Sequence, residues 1–287
     1  HTVVACGAGA GLAAVYNVPL GGALFTLEIL LGSAKVTDVV PALVSSAIAA
    51  ASCWPVLSSH PTYTVAIQGV HPQVVVWALL LGPVAGVVSV GFTALVARAR
   101  AAAATGWKLV PGCALAFTAV GALSMAYPAL LGNGKGLTQL ALDGTLSVLL
   151  LALLVILKPL VTAACLAGGA IGGLLTPALA TGAVLGALTG IGWTRLWPGA
   201  PLGSYAIVGA AAVLATTQRA PLCGIVLVLE FTHCGFDLTV PIVLAVAGSM
   251  LTARALSPAR MNTGTSRSLG ARRLHGEHRV GRLKSEG

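Results

Sequence analysis

Two stretches of the chain repeat one pattern, and this repeat decides which folds are possible. Residues 7–30 read GAGAGLAAVYNVPLGGALFTLEIL, and residues 209–232 read GAAAVLATTQRAPLCGIVLVLEFT. The two align without a gap and share Pro-Leu-x-Gly-x-x-x-x-Leu-Glu, which ends at Glu28 in one copy and at Glu230 in the other. Each copy is a small-residue span, a break at Pro-Leu and a short apolar helix. Internal repeats of this kind are typical of membrane transporter folds, commonly with inverted topology.

The composition of the chain points to lipid as its solvent. Of its 287 residues, 57% are hydrophobic and only 8% are charged, and the mean hydropathy is +0.95. A soluble domain with so few charges could not cover its surface. The 36 glycines allow close helix packing in lipid, and the alternating pattern of membrane β-strands does not occur. We therefore predict an all-α polytopic membrane protein embedded in a lipid bilayer.

Apolar stretches follow one another along nearly the whole chain, and several are shorter than the roughly 20 residues that a full span needs. Short or interrupted segments predict half-helices that end inside the membrane, where they build a binding site. The Gly-rich stretch 131–144 is interpreted as a turn between spans. The predicted apolar stretches are 2–15, 18–32, 36–57, 73–97, 109–131, 145–167, 170–194, 202–217, 220–234 and 237–256.

These stretches define the expected organisation of the chain. We predict a transmembrane domain over residues 1–256, with the end of a first repeat at 1–97 and a second repeat at about 109–256. Residues 257–287 are rich in arginine and predict a basic, partly disordered cytoplasmic tail. Because no aromatic residue interleaves its basic residues, we expect contact with lipid headgroups and no nucleic-acid partner.

Three blocks of sequence resemble the CLC family of chloride channels and chloride/proton antiporters. They are GAGAGLAAVYNVPLGGALFTLE (7–28), GGAIGGLLTPALATGAVLG (168–186) and YAIVGAAAVLATTQRAPLCGIVLVLEFT (205–232). The resemblance implies an antiparallel inverted repeat of short, tilted and broken helices, in a bacterial-type member located in the plasma membrane. It also implies a homodimer with one pore in each subunit, packed through segments 18–30 and 220–232.

The resemblance also bears on where this chain begins. The family carries two anion-binding motifs, GSGIP and GREGP, upstream of the first block, and the second holds its gating glutamate. Neither string occurs here, residue 1 is His, and the first repeat copy lies at the start of the chain. We therefore expect an N-terminally truncated member whose gate residue cannot be named in this numbering.

The candidate anion site lies in the second block, where Gly172, Gly173 and Pro177 bracket the start of a helix. A helix N-terminus offers free N–H groups and the positive end of the helix dipole, so it attracts an anion without a trapping full charge. This makes the backbone amides of Leu174 and Leu175 candidate chloride ligands, and the family places its coordinating amides at the same two positions. The alternative is a helix break that serves packing alone.

Two further side chains are candidates for the anion pathway. Lys158 lies in the apolar run LALLVILKPLVT, where a charge is costly. It either draws anions toward a pore or extends to the membrane surface. The family places a tyrosine hydroxyl near the central chloride, and Asn262 falls at that position here, where its amide could donate a hydrogen bond.

The acidic residues of the repeat bear on transport mode. Because Glu28 and Glu230 end equivalent helices, a shared structural role in helix–helix hydrogen bonding is favoured over proton relay. In the family's antiporters a second acid directly follows the first glutamate and accepts the proton, but here that position is Ile29. This departure favours passive, channel-like chloride conduction over a chloride/proton antiporter. A further alternative is a non-conducting fragment, because the expected truncation removes the gate, and on that alternative the chain alone carries no selective current. The sequence shows no nucleophile–base pair, metal cluster or cofactor motif, so we predict neither an enzyme nor a cofactor, with chloride as the transported ion.

Overall fold

The computed structural model describes residues 1–57, 60–65, 69 and 71–257. Within these ranges the chain forms eleven α-helices and no β-strand. A π-helical segment, Phe25–Leu31, continues α2, and short 3₁₀ turns precede α5 and α11. The helices are α1 (Thr2–Tyr16), α2 (Pro19–Leu24), α3 (Val36–Cys53), α4 (Pro72–Ala101), α5 (Leu109–Ala126), α6 (Lys135–Leu142), α7 (Val148–Ala167), α8 (Leu175–Leu196), α9 (Leu202–Gln218), α10 (Pro221–Thr232) and α11 (Thr239–Leu256).

Six segments among the described residues are long and apolar enough to cross a bilayer. They are Val36–Cys53, Pro72–Ala101, Gly106–Ala126, Val148–Ala167, Leu175–Leu196 and Thr239–Leu256. The remaining apolar helices of the repeat copies are too short to span alone, as the interrupted sequence pattern predicts. The chain is an integral, multi-pass membrane protein, and each predicted apolar stretch contains a helix.

The interpretation of residues 131–144 as a simple turn is wrong. This stretch contains α6, which begins after Gly134, a residue with φ of 106°. Leu137, Ala141 and Leu142 of α6 are buried, so the helix forms because one face packs into the core.

The predicted repeat boundaries remain predictions. Residues 258–287, which include Asn262 and nearly all of the predicted tail, lie outside the described residues.

The two repeat copies adopt the same backbone conformation at the Pro-Leu break, although Phe25–Leu31 continues α2 as a π-helix and α10 is α-helical throughout. The helix before each Pro-Leu break ends at a left-handed residue, Asn17 with φ of 55° and Arg219 with φ of 57°. The next helix then begins at Pro19 or Pro221. Proline suits a first helical position because its fixed φ is helical and no N–H partner is needed there. The sequence repeat is therefore also a structural repeat.

Glycine at one position in each copy lets the two helices of that copy touch. A Cβ atom on Gly22 would lie 2.8 Å from the Cβ of Ala13, and one on Gly224 would lie 2.6 Å from the Cβ of Ala215. Ala13 and Ala215 are themselves equivalent in the sequence alignment. Small residues thus permit the same close approach twice, as expected where van der Waals packing drives helix association in lipid.

The core of the second repeat fixes the position of α8. Helix α9 is buried along nearly its whole length, and α8 packs directly against it. At Gly182, Gly186 and Gly209 a Cβ atom would collide with the backbone of the opposing helix. Because these three positions admit no side chain, α8 and α9 pack backbone to backbone, and this contact positions α8 against the core.

Candidate anion-binding site

The start of α8 is the helix terminus that the sequence predicts between Gly172 and Pro177, although α8 itself is long enough to cross the bilayer. Leu174 is the residue before the helix, and the helix begins at Leu175 after the non-helical stretch 170–173. The N–H groups of a first helical turn have no acceptor within the helix, and the dipole places partial positive charge there. Pro177 lies in this first turn, where its lack of an N–H disrupts no hydrogen bond. The terminus is therefore a ready donor for an anion.

A cavity of about 410 Å³ lies at this terminus, between α5, α7 and α8. It brings together four of the predicted site residues, Gly172, Gly173, Leu174 and Lys158. Leu175 does not line the cavity, and its partly buried side chain packs against the core. Only its backbone N–H belongs to the helix terminus beside the cavity.

Lys158 is held inside the protein at the wall of this cavity. Its side chain is 2% exposed, and Nζ donates hydrogen bonds of 3.0 Å to the carbonyl oxygens of both Leu130 and Gly132. A lysine that reached the membrane surface would expose its ammonium group, so that alternative is wrong. The two carbonyl partners compensate part of the cost of burying the charge.

The cavity has a positive electrostatic character. In the described part of the chain, no carboxylate lies within ion-pairing distance of Lys158, and its ammonium group donates to neutral carbonyls. A lysine ammonium and the positive end of the α8 dipole thus border one half-open space. In a low-dielectric setting this combination favours an anion over a cation or an empty site.

The glutamate of the second repeat copy caps a helix of the first. The backbone N–H of Leu20 donates to Glu230 Oε1 at 3.0 Å, and that of Gly21 donates to Glu230 Oε2 at 2.6 Å. The carboxylate therefore occupies the N-terminus of α2, where its charge also complements the helix dipole.

The glutamate of the first copy makes the equivalent contact. The N–H of Cys223 donates to Glu28 Oε2 at 2.7 Å, and that of Leu222 donates to Glu28 Oε1 at 3.4 Å. The glutamate near the C-terminal end of each copy's helix thus contacts the N-terminus of the other copy's helix. The helices α2 and α10 therefore run antiparallel. The structural role predicted for both glutamates is observed, although sequence reasoning did not identify these backbone partners.

Ile29 follows Glu28 within the π-helical segment. Its side chain is half-buried and packs against the main hydrophobic core. A hydrocarbon side chain offers no group that can bind a proton.

Comparison with known proteins shows the family. The model of the voltage-gated chloride channel family matches residues 1–254, and the chain belongs to this family, the CLC family. It is 36% identical over 258 residues to a putative chloride channel protein ClcB-like of Ralstonia nicotianae, covering 88% of this chain and 60% of that protein. It is 34% identical over 268 residues to the H⁺/Cl⁻ exchange transporter ClcA of Cronobacter sakazakii, covering 89% of this chain and 57% of that protein. Family membership supports the expectation that the chain is not an enzyme.

Solved structures share the fold. A slow cyanobacterial Cl⁻/H⁺ antiporter superimposes with a TM-score of 0.81 at 22% identity, covering 89% of this chain and 61% of that one. A CLC-type fluoride/proton antiporter gives 0.74 at 20% identity, covering 88% and 63%. The predicted CLC-type all-α fold is therefore confirmed. The chain spans about three fifths of the length of the relatives that it matches.

Proposed function

We propose that this chain contributes the chloride-binding part of an anion pathway across the membrane. The single observation that carries the proposal is the cavity at the start of α8, which Leu174 and the buried Lys158 both line. Helix-terminal amides hold an anion through partial charges, so it is bound yet free to leave. The glycines at 172 and 173 let the anion approach the backbone closely.

We further propose that conduction is passive rather than coupled to protons. Ile29 supports this mode, because coupling needs an internal group that binds and releases a proton. Chloride/proton exchange is the second candidate, and it is favoured by the relative in Cronobacter sakazakii, which is named an exchange transporter.

Ion flux from liposomes distinguishes the two modes. The purified chain is reconstituted in liposomes loaded with potassium chloride, and chloride efflux and external pH are recorded after addition of a potassium ionophore. We expect chloride efflux without stoichiometric proton movement. Protons driven uphill by a chloride gradient would overturn passive conduction, and absence of any chloride efflux would contradict the proposed function.

A homodimer through segments 18–30 and 220–232 is part of the same proposal. Leu20 and Leu222 occupy equivalent repeat positions and are 53% and 61% exposed, so α2 and α10 present a shared apolar surface. For Leu222→Cys we expect oxidative cross-linking between two chains in liposomes. Leu149→Cys, on the exposed face of α7 at 82% exposure, is the matched control that should stay monomeric. Equal cross-linking of both variants would contradict this interface.

We place the protein in a bacterial plasma membrane. Both curated relatives named above are bacterial proteins, and the chain has the spans of a multi-pass membrane protein. Fractionation of the producing bacterium should recover the chain in the inner-membrane fraction, and recovery in the soluble fraction would contradict this location.

A further inference from the structure

The segment 60–65, which lies between α3 and α4, is held in place by both repeat copies. Thr62 Oγ1 donates to the carbonyl oxygen of Tyr16 at 2.9 Å, at the end of α1 in the first copy. The N–H of Tyr63 donates to the carbonyl oxygen of Phe231 at 2.9 Å, near the end of α10 in the second copy. The ring of Phe231 packs edge-on against those of Tyr16 and Tyr63, with centroids 5.4 and 5.9 Å apart. The segment is therefore anchored where the two copies meet.

The same segment is tied to α6 by the side chain of Gln139. The N–H of Thr64 donates to Gln139 Oε1 at 3.1 Å, and Gln139 Nε2 donates to the carbonyl oxygen of Thr64 at 2.9 Å. Nε2 also donates to Asp143 Oδ1 at 2.7 Å, at the end of α6, and this contact orients the amide. One amide group thus pairs with both backbone groups of a residue that lies 75 positions away in the chain.

Helix α6 connects this contact to the anion cavity. Thr138 Oγ1 donates to the carbonyl oxygen of Gly134 at 3.0 Å, one turn earlier. A Cβ atom on Gly134 would lie 2.8 Å from the Cβ of Ala180 in α8 and 3.4 Å from Cε of Lys158. The turn at 130–134 also provides the two carbonyl oxygens that accept the Lys158 ammonium group. A displacement of α6 therefore displaces the groups that hold Lys158 beside the start of α8.

We propose, resting on the proposed function, that Gln139 is a positioning residue for the anion site. By fixing α6 to the segment 60–65, its amide keeps the turn at 130–134 where its carbonyl oxygens hold the Lys158 ammonium group. Gln139 does not line the cavity, so it acts through Lys158 and not on the anion. The loop between α3 and α4 thereby determines how tightly the α8 terminus binds an anion.

Two substitutions separate this role from a general contribution to the fold. Gln139→Met removes the amide at similar length and similar helix propensity, so α6 loses its tie to Thr64. Asp237→Ala is the matched control, because Asp237 Oδ2 accepts from the N–H of Gly69 at 3.2 Å. That contact ties the same loop to the turn before α11 and not to α6.

The first measurement is chloride efflux from liposomes over a range of chloride concentrations. We expect Gln139→Met to raise the half-saturating chloride concentration about two- to fivefold, the effect of about one lost hydrogen bond. Asp237→Ala should leave this concentration unchanged. A purely structural role would lower the maximal flux through loss of folded protein without changing the half-saturating concentration, and that result would overturn the proposal.

A double-mutant cycle tests whether Gln139 acts through Lys158. In the Lys158→Met background no ammonium group remains to be positioned, so Gln139→Met should change the half-saturating concentration less than about 1.5-fold. The same fold-change in both backgrounds would show that Gln139 acts independently of Lys158 and would overturn the proposal.

Hydrogen exchange separates this proposal from the proposed function. Gln139→Met should speed amide exchange in residues 130–142, whereas Asp237→Ala should not. Faster exchange in a protein whose unsubstituted form carries no chloride would reject the proposed function but retain the coupling of the loop to this turn. Intact chloride flux with an unchanged half-saturating concentration in Gln139→Met would overturn the positioning role alone. If Gln139→Met fails to fold, Thr138→Val removes the next contact at nearly unchanged volume, and an unchanged half-saturating concentration there would equally overturn it.

Discussion

The N-termini of α2 and α10 differ from the N-terminus of α8 in what occupies them. At α2 and α10 a carboxylate of the same chain, Glu230 or Glu28, accepts the first-turn N–H groups. At α8 the corresponding groups face a cavity that a buried lysine also lines. All three termini have the same capacity for an anion.

The difference shows how one structural feature serves two purposes. A tethered carboxylate has a very high effective concentration at its helix, so the α2 and α10 termini are permanently filled and join the two repeats. The α8 terminus has no tethered acid among the described residues, which leaves it available to an ion that comes and goes. We infer that the α8 terminus is the candidate anion site because no carboxylate of the described residues occupies it and a cavity lined by Lys158 lies beside it.

A carboxylate added at α8 should abolish this difference, and we expect the largest effect on chloride flux from it. Gly172 has open space beside it, because a Cβ atom added there would have nothing within 4 Å. Gly172→Glu places an internal anion at the open terminus, and chloride efflux should fall more than about tenfold, as expected for a site occupied by its own ligand. Gly172→Gln has the same size without the charge and should lose less flux than Gly172→Glu, because it hinders close approach to the backbone without placing an anion at the terminus. Equal loss in both variants would show that bulk, not charge, blocks the site.

Removal of a tethered carboxylate should weaken the fold. Glu230→Ala leaves the N–H groups of Leu20 and Gly21 without their acceptor, and we expect a loss of about 2–3 kcal/mol in unfolding free energy. Glu28→Ala should cost less, because its contact to Leu222 is 3.4 Å whereas Glu230 lies 3.0 Å from the N–H of Leu20. Thermal unfolding in detergent measures both. Unchanged stability with lost proton or chloride movement would instead assign these residues to transport.

The close contact between the two helices of each repeat copy can be tested by substituting the glycine that permits it. Gly224→Ala places a methyl group 2.6 Å from the Cβ of Ala215, so α9 and α10 must separate. We expect destabilisation of about 1–2 kcal/mol from this overpacking. Gly11→Ala in α1 is the control, because a Cβ there has nothing within 4 Å and alanine favours helix. A control as unstable as Gly224→Ala would show that the close approach is not required.

Removing the charge of Lys158 beside the α8 terminus should have the smallest effect of the four substitutions. Lys158→Gln removes the positive charge while its amide can still donate to the carbonyls of Leu130 and Gly132. We expect chloride flux to fall about threefold, equivalent to about 0.7 kcal/mol, because the carbonyl oxygens of Leu130 and Gly132 already compensate part of the charge. Lys158→Met should reduce flux similarly but also lower thermal stability, because it leaves both carbonyls unpaired. Undiminished flux in both variants would remove Lys158 from the anion pathway.

The sequence predicts the features of this comparison that depend on local pattern. The repeat predicts the paired breaks at Pro19 and Pro221, and the Gly-Gly and Pro spacing predicts the start of α8, because both follow from backbone conformation. Helix α6 is not predicted from the sequence, because its glycine-rich flanks resemble a turn and its helical character depends on burial. The sequence locates the helix terminus and Lys158, but not the side chains from α5 and from the turn before α6 that complete the lining.

The partners of the buried polar groups depend on tertiary contacts. Lys158 bonds to carbonyls more than 25 residues away, at Leu130 and Gly132, and no local pattern indicates where that loop passes. The reciprocal hydrogen bonds of Glu28 and Glu230 between the two repeat copies likewise require the antiparallel packing of α2 against α10. The sequence could suggest a structural role for these acids, but only the three-dimensional arrangement identifies the N–H groups that they accept.

Anomalous X-ray diffraction from crystals grown in sodium bromide tests the central claim most directly. Bromide scatters anomalously and carries the same charge as chloride, so its position identifies the anion site. A bromide peak should lie within hydrogen-bonding distance of the backbone N–H groups of Leu174 and Leu175, with none at the start of α2 or α10. A peak at either carboxylate-capped terminus, or none at α8, would contradict the account.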